Sequence, residues 1–331
     1  FMWPFLAILI IGTILIIRQN RTMPYRHNTG FIFGTVYNVT YQYDHDLNHE
    51  LLLELEKVDN SLSMFNRKSI ISQINDNKNP NVNDMFADVF ILAQNVSKET
   101  NGAFDITVAP LVNAWGFGFK NNNMPTKFTI DSIRSFVGYE KVKLQGKKII
   151  KKDRRIMLDC SAIAKGYGSD AVAQLLHSKG IDNFMIEIGG EIVVRGVSEK
   201  HVPWKIGVTK PTDDSLNTNQ EIQTILNVTN KAMATSGNYR NFYYKGGKKY
   251  AHTIDPHTGY PVQHNILSST VLAKNCATAD AYATSFMVMG LYKAKYILKK
   301  HPEIMAYFIY SDDKGKNVVW CSESMKDKIQ R

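Results

Sequence analysis

Residues 158–167 combine an aspartate, three hydroxyl or thiol side chains and a lysine at a predicted helix start. The first N–H groups of a helix have no internal partner and lie at the positive end of the helix dipole, so they favour a phosphate. Lys165 would add a compact positive charge in the first turns. We therefore expect a helix from about Ser161 that forms an anion site, with an ordinary capped helix as the alternative.

A carboxylate and a hydroxyl that suit a divalent cation are four residues apart in the predicted helix 277–289. Asp280 and Thr284 are at positions i and i+4 and therefore share one helix face. Magnesium prefers oxygen ligands and usually keeps waters and substrate phosphates as well. The alternative is an Asp near a helix N-terminus and a Thr that bonds back to a carbonyl.

A glycine-rich stretch and a turn-rich stretch each carry a side chain that could contact a ligand. In residues 101–118, aromatic residues surround Asp105, whose carboxylate could accept a bond from a ribose or ribityl hydroxyl; a turn that covers the core fits equally well. His252 precedes the turn-rich residues 253–261. Near a substrate hydroxyl it could act as a general base, although an isolated histidine is more often structural.

Composition excludes several classes of protein. The net charge of +10 comes from 40 basic and 30 acidic residues spread along the chain, and its densest run, residues 147–155, is typical of a solvated hairpin. Three cysteines without a CxxC motif give no zinc or disulfide signature. The GxGxxG, P-loop and GxSxG motifs are absent. We expect no nucleic-acid partner.

The N-terminal residues 1–24 differ from the rest of the chain. Phe1 to Ile17 is almost wholly apolar and ends at a polar, basic stretch. No Ala-x-Ala pattern follows, so this segment is predicted to be an uncleaved membrane anchor rather than a cleaved signal. The basic residues after it would place the body in the cytoplasm by the positive-inside rule.

Residues 25–331 are predicted to form one α+β domain, with a division into two lobes as the alternative, because helices and strands mix without strict alternation. Apolar periodicity predicts helices over 46–62 with Asp46 as N-cap, 84–100 with Asp84 as cap, 162–179, and 277–289. The last of these ends at Gly290, and a short amphipathic helix follows it. Strands are predicted over 31–43, 183–188, 204–208, 222–228, 232–236 and 304–310.

Together these stretches resemble the ApbE family, the FAD:protein FMN transferases. The matching stretches follow the family order over about residues 31–290, and each is weak alone but specific in combination. They are Gly34-Thr35, residues 63–66 with Ser69, 102–118, 159–166, 188–191, 235–239, 252–261 and 279–284.

The resemblance implies a site residue by residue. Contacts with FAD are implied for Phe33, Phe65, Ala103, Phe104, Asp105, Asp159, Lys165 and the backbone of Ile254. Magnesium ligands are implied to be the Ala162 carbonyl, Asp280 and Thr284, and His252 matches the catalytic histidine. The sequence departs from the family at Phe33, where a methionine is usual, and at Cys160, where an aliphatic residue is usual.

The implied activity is magnesium-dependent transfer of FMN from FAD to a Ser or Thr hydroxyl of an acceptor protein, with release of AMP. The implied acceptor is a subunit of a redox complex. The implied location is the inner membrane with the catalytic domain facing the periplasm, which we prefer to the charge-based orientation. A magnesium-dependent FAD pyrophosphatase and a non-catalytic FAD carrier are the alternatives, and a base, a lysine and a metal site argue against the carrier.

Overall fold

The structure is a computed structural model that describes residues 2–19, 23–118, 124–211, 221–238, 242–246 and 248–330. Nine helices and fourteen strands occur in the part of the chain it describes. In chain order they are α1 (Met2–Gln19), β1 (Tyr25–Ile32), β2 (Thr35–Gln42), α2 (Asn48–Leu62), α3 (Ile70–Asn75), α4 (Asp84–Glu99), α5 (Ala109–Ala114), α6 (Lys127–Arg134), β3 (Val142–Gln145), β4 (Lys148–Lys151), α7 (Ala164–Ser178), β5 (Phe184–Ile188), β6 (Glu191–Arg195), β7 (Trp204–Thr209), β8 (Ile222–Val228), β9 (Lys231–Gly237), β10 (Phe242–Lys245), β11 (Lys248–Ala251), β12 (Ile266–Ala273), α8 (Cys276–Lys300), β13 (Met305–Ser311), β14 (Asn317–Cys321) and α9 (Glu323–Lys326).

An eight-stranded sheet in the order β1-β2-β5-β6-β9-β12-β13-β14 forms the centre of the fold. Every neighbouring pair in it is antiparallel. Antiparallel sheets can be built from hairpins and need no helical crossovers, which is why the sequence lacks a regular alternation of helices and strands. The prediction of a single domain of mixed α and β structure is confirmed.

Helices cover one face of this sheet. α7 packs on β5 and β6, α8 packs on β9 and β12, and α2 and α4 lie outside α7 and α8. Two apolar clusters fill the space between these layers, one of them joining β2 and β5 to α2 and α7. The helices that carry Lys165 and Asp280 therefore lie side by side on the sheet.

The other face of the sheet is covered by the hairpin β7–β8 and by α9. Trp204, Ile206 and Leu226 from the hairpin pack on Met233 and Leu272 of the sheet. The burial pattern of β7 alternates, because one side of its pleat faces the sheet and the other faces solvent. This face contains none of the predicted site residues.

The predicted strand 31–43 is wrong in extent, because a tight turn at Phe33-Gly34 divides it into β1 and β2. Both turn residues have positive φ, 52° for Phe33 and 74° for Gly34. Two-residue hairpins favour this backbone because it matches the strand twist. The turn was missed because a bulky Phe rarely adopts positive φ.

Three predicted helix starts are also corrected. Asn83, not Asp84, caps α4 by accepting from Phe86 N. α2 begins at Asn48 after Leu47, while Asp46 accepts from Asn48 N at 3.0 Å. α7 begins at Ala164 instead of about Ser161. A polar side chain two or three residues ahead of a helix can make several local bonds, so its type alone does not fix the first helical residue.

The predicted helix end at Gly290, with a second helix after it, is confirmed, because α8 consists of two helical segments that meet at a kink there. Gly290 has φ 80° and ψ 168°, and helical structure continues beyond it to Lys300. The remaining predicted strands fall within one or two residues of β5, β7, β8, β9 and β13.

The N-terminal segment forms α1, whose described side chains are largely exposed and apolar, Trp3 and Ile8 among them. Within the residues described, no helix is both long enough and apolar enough to span a membrane. Residues 1 and 20–22 of the segment lie outside the described residues. The anchor and the domain boundary at residue 24 remain predictions.

Candidate active site

A cleft with two connected lobes opens on the helical side of the sheet. The first lobe has a volume of about 610 Å³ and the second a volume of about 410 Å³. Met64, Phe65, Ser161 and Lys165 line both lobes and mark their junction. A cleft of this combined size is in the range of sites that hold a large organic cofactor.

All twelve residues predicted to form the site line this cleft. Phe33 lines the first lobe, and Phe65 and Lys165 line both. The second lobe is lined by Ala103, Phe104, Asp105, Asp159, Ala162, His252, Ile254, Asp280 and Thr284. Residues far apart in sequence therefore share one cavity, while their individual roles remain predictions.

The loop of residues 63–69, at the junction of the two lobes, is ordered by hydrogen bonds from its own polar side chains. Ser69 donates to Ser63 O at 2.6 Å and also caps α3 by accepting from Ser72 N. Asn66 donates to an Asp59 carboxylate oxygen at 2.8 Å. Phe65 consequently stays 69% exposed at the entrance to both lobes, where an aromatic ring is available to a planar ligand.

Asp105 is buried in the floor of the second lobe. Its Oδ1 accepts from the N–H of Thr107 at 2.8 Å and from the Thr107 hydroxyl at 2.7 Å, and its Oδ2 accepts from Tyr139 N at 2.9 Å. Burial raises the pKa of Asp105 to about 6 despite these three bonds. The carboxylate therefore shapes its own loop, and any bond that it accepts from a ligand would be additional.

The turn before α7 is built around Asp159. Its Oδ1 accepts from Ser161 N at 2.7 Å and from the Ser161 hydroxyl. The N–H of Gly166, in the first turn of α7, donates to the Asp280 carboxylate at 3.1 Å. The N–H groups of Ser161 and Gly166 were expected to be available for a phosphate, and this is wrong because each donates to a carboxylate. The positive charge that a phosphate could meet here is that of Lys165.

Lys165 forms an ion pair with Glu191 at the junction of the lobes. Its Nζ lies 2.6 Å from Glu191 Oε2, and the side chains are 32% and 3% exposed. Glu191 begins β6 directly after the turn at Gly189-Gly190. The pair fixes the ammonium group where the two lobes meet, a suitable position for a phosphate of a ligand that occupies both.

The three predicted metal ligands lie in the second lobe and supply only oxygen donors. Asp280 is buried, and burial raises the pKa of its carboxyl while the Lys165 charge and the Gly166 N–H oppose that rise. Thr284 Oγ1 lies 3.0 Å from Ser236 Oγ, and Ala162 lines the same wall. A buried carboxylate, a hydroxyl and a carbonyl suit magnesium, so these residues fit the ion that the resemblance implies.

His252 and Ile254 come from the chain between β11 and β12. His252 packs edge-on against Phe117, with ring centres 6.4 Å apart. Ile254 pairs with Pro261 in an isolated bridge, and Thr253 donates to Asn238 Oδ1 at 2.7 Å. Tyr239, the last residue of the matching stretch 235–239, lies outside the described residues.

Glu191 and Ser236, which line the cleft and contact predicted site residues, were not assigned a role from the sequence. Glu191 was noted only as the residue after Gly189-Gly190, and its signal is a carboxylate directly before the apolar run 192–194. Ser236 reaches Thr284 through the pairing of β9 with β12, beneath α8. No local pattern connects residues 236 and 284, so sequence reasoning had no means of finding this contact.

Comparison with known proteins gives one consistent result. The model of the ApbE family matches residues 33–308. An FAD:protein FMN transferase of Vibrio cholerae is 35% identical to this chain over 316 residues, which cover 92% of this chain and 93% of the relative. An FAD:protein FMN transferase of Escherichia coli is 31% identical over 290 residues, which cover 85% of this chain and 81% of the relative.

Solved structures agree with the sequence relatives. The flavin transferase ApbE from Vibrio cholerae has a TM-score of 0.82 at 34% identity and covers 92% of this chain and 100% of its own. The apo flavinyl transferase ApbE of Pseudomonas stutzeri also has a TM-score of 0.82, at 27% identity, and covers 93% and 98% of the two chains. By family match, sequence identity and shared fold, this chain belongs to the ApbE family.

Proposed function

We propose that this protein transfers the FMN part of FAD to a Ser or Thr hydroxyl of an acceptor protein and releases AMP. The observation that carries the proposal is the arrangement of the cleft. Lys165 lies at the junction of two lobes, and Asp280 and His252 line the second of them. A dinucleotide that extended through both lobes would bring its pyrophosphate to this junction.

The chain's own groups would bind and orient that substrate. Phe65 offers an aromatic face at the entrance, and Phe104 and Phe117 supply apolar walls in the second lobe. Lys165, held by Glu191, places a positive charge where negative charge would grow on the leaving phosphate. Stabilising that charge lowers the barrier to cleavage of the P–O–P linkage.

Asp280, Thr284 and the Ala162 carbonyl would hold magnesium in this site. When bound, the ion would supply electrostatic stabilisation of the phosphate oxygens. Asp280 itself is kept in place by the N–H of Gly166, and Thr284 by Ser236. Both contacts are made by the protein alone, so the ligands are arranged before any ion binds.

His252 is the group proposed to take the proton. The acceptor hydroxyl oxygen attacks the FMN phosphorus while its proton passes to the imidazole of His252. The bond from that phosphorus to the bridging oxygen breaks, and AMP leaves with that oxygen. The acceptor then carries FMN through a phosphoester, and His252 is the general base of the step.

Incubation with FAD, magnesium and a Ser- or Thr-containing acceptor peptide tests the proposal. Mass spectrometry should find FMN attached to the peptide, with one AMP released per FMN transferred. The docked hydroxyl should outcompete water because binding raises its effective concentration. If free FMN accounts for nearly all turnover with several acceptor sequences, the protein is a pyrophosphatase; if FAD binds but stays intact, it is a carrier.

We also propose that residues 1–24 attach the protein to the inner membrane with the catalytic domain in the periplasm, where an acceptor subunit of a redox complex would meet it. The support is the exposed apolar surface of α1 and the resemblance to the family. Cell fractionation with and without residues 1–24 tests attachment. Protease protection in intact spheroplasts tests orientation, and a catalytic domain protected from added protease would contradict it.

A further inference from the structure

A half-buried aspartate that does not line the cleft connects α7 and α8, the helices that carry Lys165 and Asp280. Asp170, in α7, accepts a bond from Cys276 N at 2.7 Å through Oδ1 and a bond from Ala277 N at 2.8 Å through Oδ2. These N–H groups belong to the first turn of α8, where no carbonyl of the helix itself can reach them. One side chain of α7 therefore satisfies two helix-start donors of α8.

The same helix start also has a cap from its own segment. Asn275 accepts from Thr278 N at 2.9 Å through its side chain. This bond is local and ties α8 only to the residue before it. The start of α8 thus has two kinds of cap, and only the one from Asp170 connects it to another helix.

A second contact between the helices lies one turn away. A Cβ added to Gly166 would lie 2.5 Å from Cys276 O, so the helices touch backbone to backbone there. Gly166 N also donates to Asp280 at 3.1 Å. Gly166 and Asp170 are four residues apart and share one face of α7, and Cys276 and Asp280 share one face of α8 in the same way.

We propose that Asp170 is a positioning residue, which sets α8 against α7 so that Asp280 and Thr284 lie at the right place relative to Ala162 and Lys165. The inference rests on the proposed function and deepens it. Two contacts fix a helix crossing better than one, because a single close approach still allows rotation about it. Without Asp170, only the contact at Gly166 would connect the start of α8 to α7, and the helix could turn about it while the cleft walls kept their composition.

The test uses the full chain with FAD bound and Mn²⁺ as a spectroscopic probe of the metal site. Asp170→Asn keeps the side-chain volume but replaces one acceptor oxygen with a donor that faces an N–H. Mn²⁺ affinity, measured by electron paramagnetic resonance, should fall about tenfold or more, the usual effect of losing support behind a metal ligand. FAD affinity measured without metal should stay the same, because the flavin contacts are untouched.

Asn275→Ala is the matched control. It also removes a side-chain cap from the first turn of α8, yet leaves the connection to α7 intact. It should lower the free energy of unfolding without changing Mn²⁺ affinity. Equal Mn²⁺ affinity for Asp170→Asn and Asn275→Ala would overturn the proposal, as would a loss of FAD affinity in Asp170→Asn that matches the loss for Mn²⁺.

A second variant covers the case in which Asp170→Asn does not fold. Asp170→Glu keeps both acceptor oxygens on a longer arm and should give a folded protein with Mn²⁺ affinity between wild type and the tenfold loss; wild-type affinity would overturn the proposal. Failure of the proposed function looks different. In that case the wild-type protein would bind FAD and Mn²⁺, and Asp170→Asn would weaken Mn²⁺, but no FMN would reach any peptide.

Discussion

Lys165→Met should destabilise the protein far more than an exposed ion pair of the same length would suggest. The pair with Glu191 spans 2.6 Å, and the Glu191 side chain is only 3% exposed. At an effective dielectric constant of about 20, charges at this separation attract by roughly 6 kcal/mol, and dehydration of the two groups offsets part of that. Removing the ammonium leaves the carboxylate buried without it.

We expect Lys165→Met to lower the free energy of unfolding by about 3 kcal/mol, near the lower end of the range for breaking a buried pair because Lys165 is partly hydrated. Urea denaturation at neutral pH, with FAD absent, measures this change. The double variant Lys165→Met/Glu191→Gln should recover part of the loss, because the buried negative charge is then gone. The difference between single and double variants gives the coupling energy.

Lys326→Met provides the matched control. Lys326 Nζ lies 2.6 Å from Glu323 Oε2, the same separation, but the side chains are 56% and 86% exposed. Its loss should leave the unfolding curve unchanged within error, because water replaces an exposed partner. If Lys165→Met is as stable as Lys326→Met, or if Glu191→Gln fails to rescue it, burial does not decide the strength of the pair and the reasoning is refuted.

Four further predictions concern the site and its scaffold. His252→Ala should still bind FAD in an equilibrium titration but transfer FMN roughly 10²–10⁴-fold more slowly; loss of binding with normal turnover of bound FAD would make it a binding residue. Asp280→Ala should abolish turnover and weaken FAD binding only moderately, and EDTA should mimic it in wild type until magnesium is restored; full activity of the variant in EDTA would rule out the metal site. Gly166→Ala should lower the free energy of unfolding in urea by about 1–3 kcal/mol, because the added Cβ would lie 2.5 Å from a backbone carbonyl oxygen. Gly207→Ala is the control and should be tolerated, because its Cβ would lie 3.4 Å from a side-chain methyl. Burial raises the pKa of Asp105 from 3.8 to about 6, so its carboxyl keeps its proton to a higher pH in the folded than in the unfolded state. It therefore adds about 3 kcal/mol to the free energy of unfolding below pH 3.8, and this contribution is lost as the pH rises through 6. Asp105→Asn should remove that fall from the pH profile of stability, and an unchanged profile would contradict the prediction.

Local sequence patterns identified most elements of the fold. Periodic leucines predicted α2, and a mostly apolar run before Gly189-Gly190 predicted β5 and its turn. The predictions were wrong where the preference of a residue type was overridden by a neighbouring contact or by an uncommon backbone conformation. Phe33 adopts a positive φ that its type disfavours, and Asn83 rather than Asp84 caps α4.

Twelve residues that line the cleft could be named from the sequence, because the resemblance to a family identifies the short stretches that carry them, while their roles stay predictions. What was not predictable is how those residues are used. Asp105 bonds to Thr107 and Tyr139, and the N–H of Gly166 bonds to Asp280. Neither assignment follows from residue type, since a carboxylate can accept from any donor that the fold brings within reach.

The sequence by itself determined which chemistry the protein carries: an anionic and a basic group near one helix, an oxygen pair at i and i+4 in another, and a histidine before a turn. Those features depend on residue type and short spacing, which the chain fixes before it folds. Only the tertiary structure decided that Lys165 pairs with Glu191 and that Asp170 holds the start of α8. Such contacts join residues separated by 26 and 106 positions, and only the packing of α7 and α8 on a common sheet brings those residues together.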